Sequence, residues 1–211
     1  MPPPPSTTVP QPSGSHEPAD AALARAVLAE TRAGFAQLRT TAERAVAQVD
    51  DAALWRTLDA EANSIGVLLR HVGGNLRSRF TDFLGSDGEK PDRDRDAEFV
   101  ARPELDRAAL LAEWHAGWAA LDAALGGLEP ADLGRTVHIR GEPATVLQAL
   151  ARATRHVAQH VGQIVLLARH ACGARWETLT IPRGGSAAYL AAVRERHEGG
   201  RPRDAGAGRL P

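Results

Sequence analysis

Cysteine occurs once in the 211 residues, at Cys172, so no disulfide can form within the chain, and a reducing, cytoplasmic setting is the expectation. Lysine is almost missing too, with Lys90 alone, while alanine and arginine abound; this reads as coding bias. Neither sign of charge prevails. The 25 Lys and Arg against 26 Asp and Glu leave a formal net charge of −1, which speaks against a nucleic-acid or membrane-surface partner. Long apolar runs are absent. The best, Ile164–Ala168, falls far short of the roughly 18 residues of a spanning helix, so no membrane partner is expected. The N-terminus shows no basic start followed by an apolar segment, and no signal peptide is expected.

What the chain does have is helical periodicity. The first stretch, 1–18, is rich in Pro, Ser and Thr and reads as a disordered tail. Residues 19–196 read as one domain, and 197–211 as a second disordered tail. From Ala19 to Val49 the apolar positions Leu23, Val27, Phe35, Leu38, Ala42, Val46 and Val49 keep helical spacing and predict helix one. A short connector at Asp50–Ala62 follows. Helix two begins at Asn63 or Ser64, either of which can cap it, and buries Ile65, Leu68, Leu69, Val72, Leu76, Phe80 and Phe83. Helix three runs from about Pro103 to Leu128 on Leu110, Trp114, Trp118, Leu121 and Leu125. Helix four is bracketed by Thr145 and Gln148 as a capping box and by Gly173 as a stop, giving Val146–Cys172. Ser186 can cap a last short helix through Arg196. The fold class expected is all-α, a four-helix bundle.

Helix four carries the feature around which the rest is read. Val157, Val161, Ile164 and Ala168 form an apolar stripe, and His156, His160 and Gln163 recur beside it. Two histidines four residues apart lie about 40° apart and about 6 Å apart along the axis, so their ring nitrogens can converge on one metal. Alone, the pair is a weak signal and reads more readily as two hydrogen-bonded or surface histidines. Helix two has its own polar stripe, Ser64, His71, Asn75, Ser78 and Asp82. His71 is the candidate third ligand, and Asn75, one turn on, a candidate outer partner, as is Gln163. Asp82 is 11 residues from His71, about 16 Å along the axis, and too far for the same ion.

The remaining candidates carry two readings each. Arg77 and Arg79 either hold an anionic substrate or form surface ion pairs, and Trp114 either stacks on substrate or anchors the core. No Asp or Glu falls within one turn of the three histidines on their two helices. A general base is therefore unassigned, with Glu113 and Glu142 as remote candidates. The charged link Gly85–Arg102 reads as solvated, and it is long enough to cross a bundle, so helices two and three are expected to run parallel. Thr136–Arg140 alternates like a strand, with a turn at Gly141–Glu142–Pro143, which predicts a short flap before helix four.

Taken together, these stretches resemble the DinB/YfiT-like superfamily of metal-dependent enzymes. The pattern is a helix-two histidine, a long crossover, then His156-x-x-x-His160-x-x-Gln163 on helix four. Asn63–Ser64–Ile65, Arg70–Arg79 (RHVGGNLRSR), Thr81–Leu84 (TDFL), Asp87–Lys90 (DGEK), Ile139–Glu142 (IRGE), His160–Ile164 (HVGQI) and Ile181–Gly184 (IPRG) look like one bacterial branch of it. The likeness spans roughly Leu23–Tyr189. It implies an up–down–down–up bundle and a divalent metal, nickel or zinc, held by His71, His156 and His160 with water completing the shell. Some relatives conjugate low-molecular-weight thiols such as bacillithiol, mycothiol or glutathione to electrophiles. The expectation is a metal-dependent thiol S-transferase acting on a small molecule, with a metal-dependent hydrolase or a non-catalytic stress-response protein as alternatives. A homodimer is expected only because relatives often dimerise.

Overall fold

The computed structural model describes residues 19–198. The tail expected at 1–18 lies outside them, as does most of the one expected at 197–211. The described chain is mainly helical: α1 Ala19–Val46, α2 Asp51–Trp55, α3 Ile65–Phe80, α4 Arg95–Glu98, α5 Arg107–Gly127, α6 Val146–Cys172 and α7 Ser186–Glu198. One small antiparallel hairpin, β1 Thr136–Ile139 and β2 Glu142–Thr145, precedes α6. None of the described helices is long and apolar enough to cross a membrane.

The four long helices share one core. Phe35 and Ala42 of α1, Leu68, Leu69 and Leu76 of α3, Trp114, Trp118 and Leu121 of α5, and Leu150, Val157 and Ile164 of α6 are all buried in it. The main packing pairs are α3 with α5, α1 with α6, and α3 with α6. Helix α3 is buried on almost every face, including the polar Ser64 that caps it by accepting from Val67 N. Its approach to α5 is a backbone contact. A Cβ on Gly73 would stand 2.8 Å from the Glu113 carbonyl oxygen, and one on Gly117 would collide with the Gly73 carbonyl. Both helices need glycine there for their backbones to touch.

Three local expectations are corrected. Helix α5 starts at Arg107, not near Pro103, because the Asp106 carboxylate accepts from Ala109 N and caps it there. The flap's turn is Arg140–Gly141, not Gly141–Pro143. Both turn residues have positive φ, 58° and 76°, the backbone of a two-residue hairpin, and Glu142 and Pro143 pair in β2 with Ile139 and His138. The charged link is not solvated throughout: Glu98 is buried, and the Arg93 side chain is only 4% exposed. Helix α6 has the expected bounds, with the Thr145–Gln148 capping box formed in both directions and Gly173 at its end.

Candidate metal centre

Helices α3 and α6 bring His71, His156 and His160 together, with ligand nitrogens all within 4.8 Å of one another. The His156 Nε2 is 3.1 Å from His71 Nε2 and 3.2 Å from His160 Nε2. Three nitrogens held about 2.0–2.1 Å from one tetrahedral ion would stand about 3.3 Å apart. The spacing therefore fits a single ion.

The protons fit it as well. The His71 Nδ1 donates to the Glu98 carboxylate at 2.9 Å, and the His160 Nδ1 donates to Gln163 Oε1 at 2.7 Å. Both rings then carry their hydrogen on the outer nitrogen, which leaves both Nε2 lone pairs pointing inward. Only His156 could place a hydrogen among the three, and one hydrogen cannot satisfy two facing lone pairs. A shared Lewis acid satisfies all of them. Burial, with the neighbouring His160, His71, Arg79 and Arg93 adding to it, pushes His156 down to about 4. Burial also lowers His160, against the hydrogen bond to Gln163 that raises it. His156 and His160 are thereby kept as neutral donors at neutral pH.

Behind His71 stands a second layer. Burial pushes the Glu98 carboxyl up, but hydrogen bonds from His71 and Arg93, with the Arg93 charge, outweigh it and hold the group below the ordinary range. The Arg93 fork grips both oxygens, Nε to Oε1 at 2.8 Å and Nη2 to Oε2 at 2.9 Å. Gly74 makes room for this carboxylate, since a Cβ there would overlap Glu98 Oε1. Phe99 lies against the His71 ring, centroids 4.5 Å apart. The buried His156 Nδ1 has no such partner.

A cavity of about 200 Å³ opens beside the histidines. His71 and His156 line one part; Asn75, Arg79, Arg95, Arg140, Arg152 and His138 supply its other polar groups, and Phe80, Phe83 and Ile139 part of its apolar wall. No carboxylate is among its lining residues.

The sequence-derived candidates divide accordingly. His71, His156, His160 and Gln163 meet, and Asn75 and Arg79 line the cavity. Arg77 does not: it is exposed and faces a separate depression with Lys90 and Asp92. Trp114 is wholly buried, its Nε1 donating to Glu43, so it cannot stack on a substrate. Glu113 is paired with Arg70 at 3.2 Å, and Glu142 is exposed on β2 and outside the cavity lining. Sequence reasoning missed Glu98 and Arg93. The one signal was the step from alternating Arg and Asp to Glu98–Phe99–Val100, where apolar residues interrupt a run that would otherwise be fully solvated.

The fold and site define a mainly helical protein with a three-histidine cluster competent to bind a metal ion. A family described as "Protein of unknown function (DUF1572)" matches residues 22–185. The chain belongs to that family. No curated protein matches it.

Proposed function

We propose that this chain is a DinB-type four-helix bundle, running up–down–down–up with 81–106 as the long crossover, that binds one divalent ion, nickel or zinc. His71, His156 and His160 would hold it. The reaction we propose is transfer of a low-molecular-weight thiol to a small electrophile. The observation that carries the metal reading is the convergence of three Nε2 atoms, two of them with outer protons fixed by Glu98 and Gln163. Three protein ligands with no fourth suit a reactive site rather than a structural one.

A divalent ion there supplies Lewis acidity that lowers the pKa of a thiol or water beside it. The residues of the chain favour the thiol. In the transfer, the sulfur's electron pair forms the S–C bond and the thiol proton leaves to solvent. The electrophile's displaced pair takes up a proton or departs with a leaving group. A thiol starts near pKa 8.5 and needs little help, whereas water starts near 15.7 and gains more from a base. The cavity lining offers no carboxylate, and the buried Glu98 is occupied by Arg93 and His71.

The test is metal content per chain by plasma mass spectrometry, for wild type, His71→Ala and His160→Ala. About one equivalent of nickel or zinc in wild type, lost in both variants, is expected. Absence of metal after reloading would remove the reading. A screen of thiols against electrophiles then follows. Metal without turnover by any thiol would favour the non-catalytic alternative.

A further inference from the structure

Four arginines and no carboxylate line the cavity beside the histidines. Arg79, Arg95, Arg140 and Arg152 line it, and Arg93 stands behind. Three carboxylates stand near this group: Glu98, Glu89, and Asp87, which is bound by the Arg140 and Gly141 amides and feels the Arg79 charge. Glu98 is taken by Arg93 and His71. Glu89 is shared among Arg79 at 3.5 Å, Arg93 at 3.3 Å and Arg140 at 3.1 Å. Arg95 has a loose surface pair, 3.7 Å from Asp96, and lies over the Phe99 ring, 4.9 Å from its centroid. Among the described ion pairs none includes Arg152.

Arg79 is the centre of the group. Its side chain is 11% exposed, and its Nη1 is buried without a hydrogen-bond partner. Burial and the cations Arg152, Arg93 and Arg140 bring it down to about 10 against the pull of Glu89, so it stays charged at neutral pH. A buried guanidinium N–H without an acceptor is costly, and a native site supplies one.

The placement of this charge is directional. On α3, Arg79 follows His71 by eight residues, about 12 Å along the axis; on α6, Arg152 precedes His156 by four, about 6 Å. Since His71 meets His156 and Arg79 neighbours Arg152, both arginines stand toward the same end, away from the histidines. Apolar Phe80, Phe83, Ile139, Ala149 and Ala153 also line the cavity.

We infer that this end is an anion subsite, in which Arg79 and Arg152, with Arg140 at the rim, bind a carboxylate or phosphate group of the substrate. The substrate is then a compact molecule with an anionic head, a short apolar body and its reacting end at the three histidines. This rests on the proposed reactive site for its function, but not for the binding of the head.

Isothermal titration calorimetry on the full chain at low, constant ionic strength tests it, with inorganic phosphate and succinate as the probes. The variants are Arg79→Gln, Arg152→Gln and His160→Ala, each checked for fold by circular dichroism. Saturable binding to wild type is expected. It should weaken about tenfold or more in each arginine variant, as loss of a charge-assisted hydrogen bond predicts, and change little in His160→Ala. Tighter binding of succinate assigns a carboxylate head, and of phosphate a phosphate head. Because Arg152 is exposed, its variant carries the test even if Arg79→Gln does not fold. No saturation of wild type by either probe up to about 10 mM, or unchanged affinity in Arg152→Gln, overturns the subsite. Loss of binding in a folded His160→Ala would also overturn it, since the anion would then sit on the metal. Absence of metal from wild type, by contrast, sinks the thiol-transfer reading and leaves the subsite standing.

Discussion

Glu98 and His71 lie 27 residues apart and meet through a buried hydrogen bond, Oε2 to Nδ1 at 2.9 Å. The bond fixes the tautomer of His71, and the Arg93 fork keeps the carboxylate charged. Glu98→Gln retains the shape but removes the charge and leaves Arg93 underpaired. Metal affinity should fall about 10–100-fold, the usual cost of losing such an outer partner, with helical content unchanged. Competition against a chromogenic chelator measures it; an affinity equal to wild type would show that Glu98 serves only to neutralise Arg93.

Two glycines, Gly74 on α3 and Gly117 on α5, separate site from scaffold. A methyl at Gly74 overlaps the Glu98 carboxylate, while a methyl at Gly117 overlaps the Gly73 carbonyl across the α3–α5 contact. Gly74→Ala should therefore resemble Glu98→Gln in metal loss. Gly117→Ala, where the obstacle is backbone, should lower stability by about 1–3 kcal/mol through overpacking. Urea midpoints and metal titrations on both variants check this, and equal stability losses would show that Glu98 cannot swing aside.

Asp87 closes the hairpin from outside. Its Oδ1 accepts from Glu89 N at 2.7 Å and Arg140 N at 2.8 Å, and its Oδ2 from Gly141 N at 2.7 Å. These bonds, that from Glu89 first and that from Gly141 next, bring the carboxyl from 3.8 down to about 2. A depressed carboxyl stabilises the fold above its unfolded value, and the contribution is lost as pH falls from about 3.8 through about 2. The Arg140 and Gly141 amide resonances should titrate with a midpoint near 2. Asp87→Ala should free the turn, whose Arg140 holds a positive φ, and speed tryptic cleavage after Arg140 at neutral pH.

The contrast between α6 and the 81–106 link shows what the sequence could convey. Helix α6 was legible to its ends because its cap, its stop and its apolar stripe are all local signals. The histidine cluster was legible because two ligands share one turn and the third lies on a polar stripe of an otherwise buried helix. Glu98 and Arg93 were not, because their burial depends on where an irregular segment docks, and no periodicity records that. Asp87 and Gly141 stood out as separate motifs, and only the fold shows that one caps the other. Trp114 needed the packing of α1 as well, since Glu43 receives its Nε1 hydrogen.

The third histidine gives the last prediction. His156 lacks an outer partner at Nδ1, and burial together with the nearby His160, His71, Arg79 and Arg93 depresses it from 6.5 to about 4. Between those two values the unfolded chain binds a proton that the metal-free fold refuses. The proton count of the unfolded state is the larger, so stability rises with pH across that window and is lost as pH falls through it. The metal-free protein should thus show urea midpoints that decline steadily from about pH 6.5 toward about pH 4, and imidazole resonances of His156 that do not move until near 4. His156→Phe should flatten much of that decline, leaving the part that belongs to the likewise depressed His160. A His156 resonance titrating near 6.5 in the metal-free protein would mean that its ring is hydrated and turned away from the other two, and the shared centre would then lose one of its three donors.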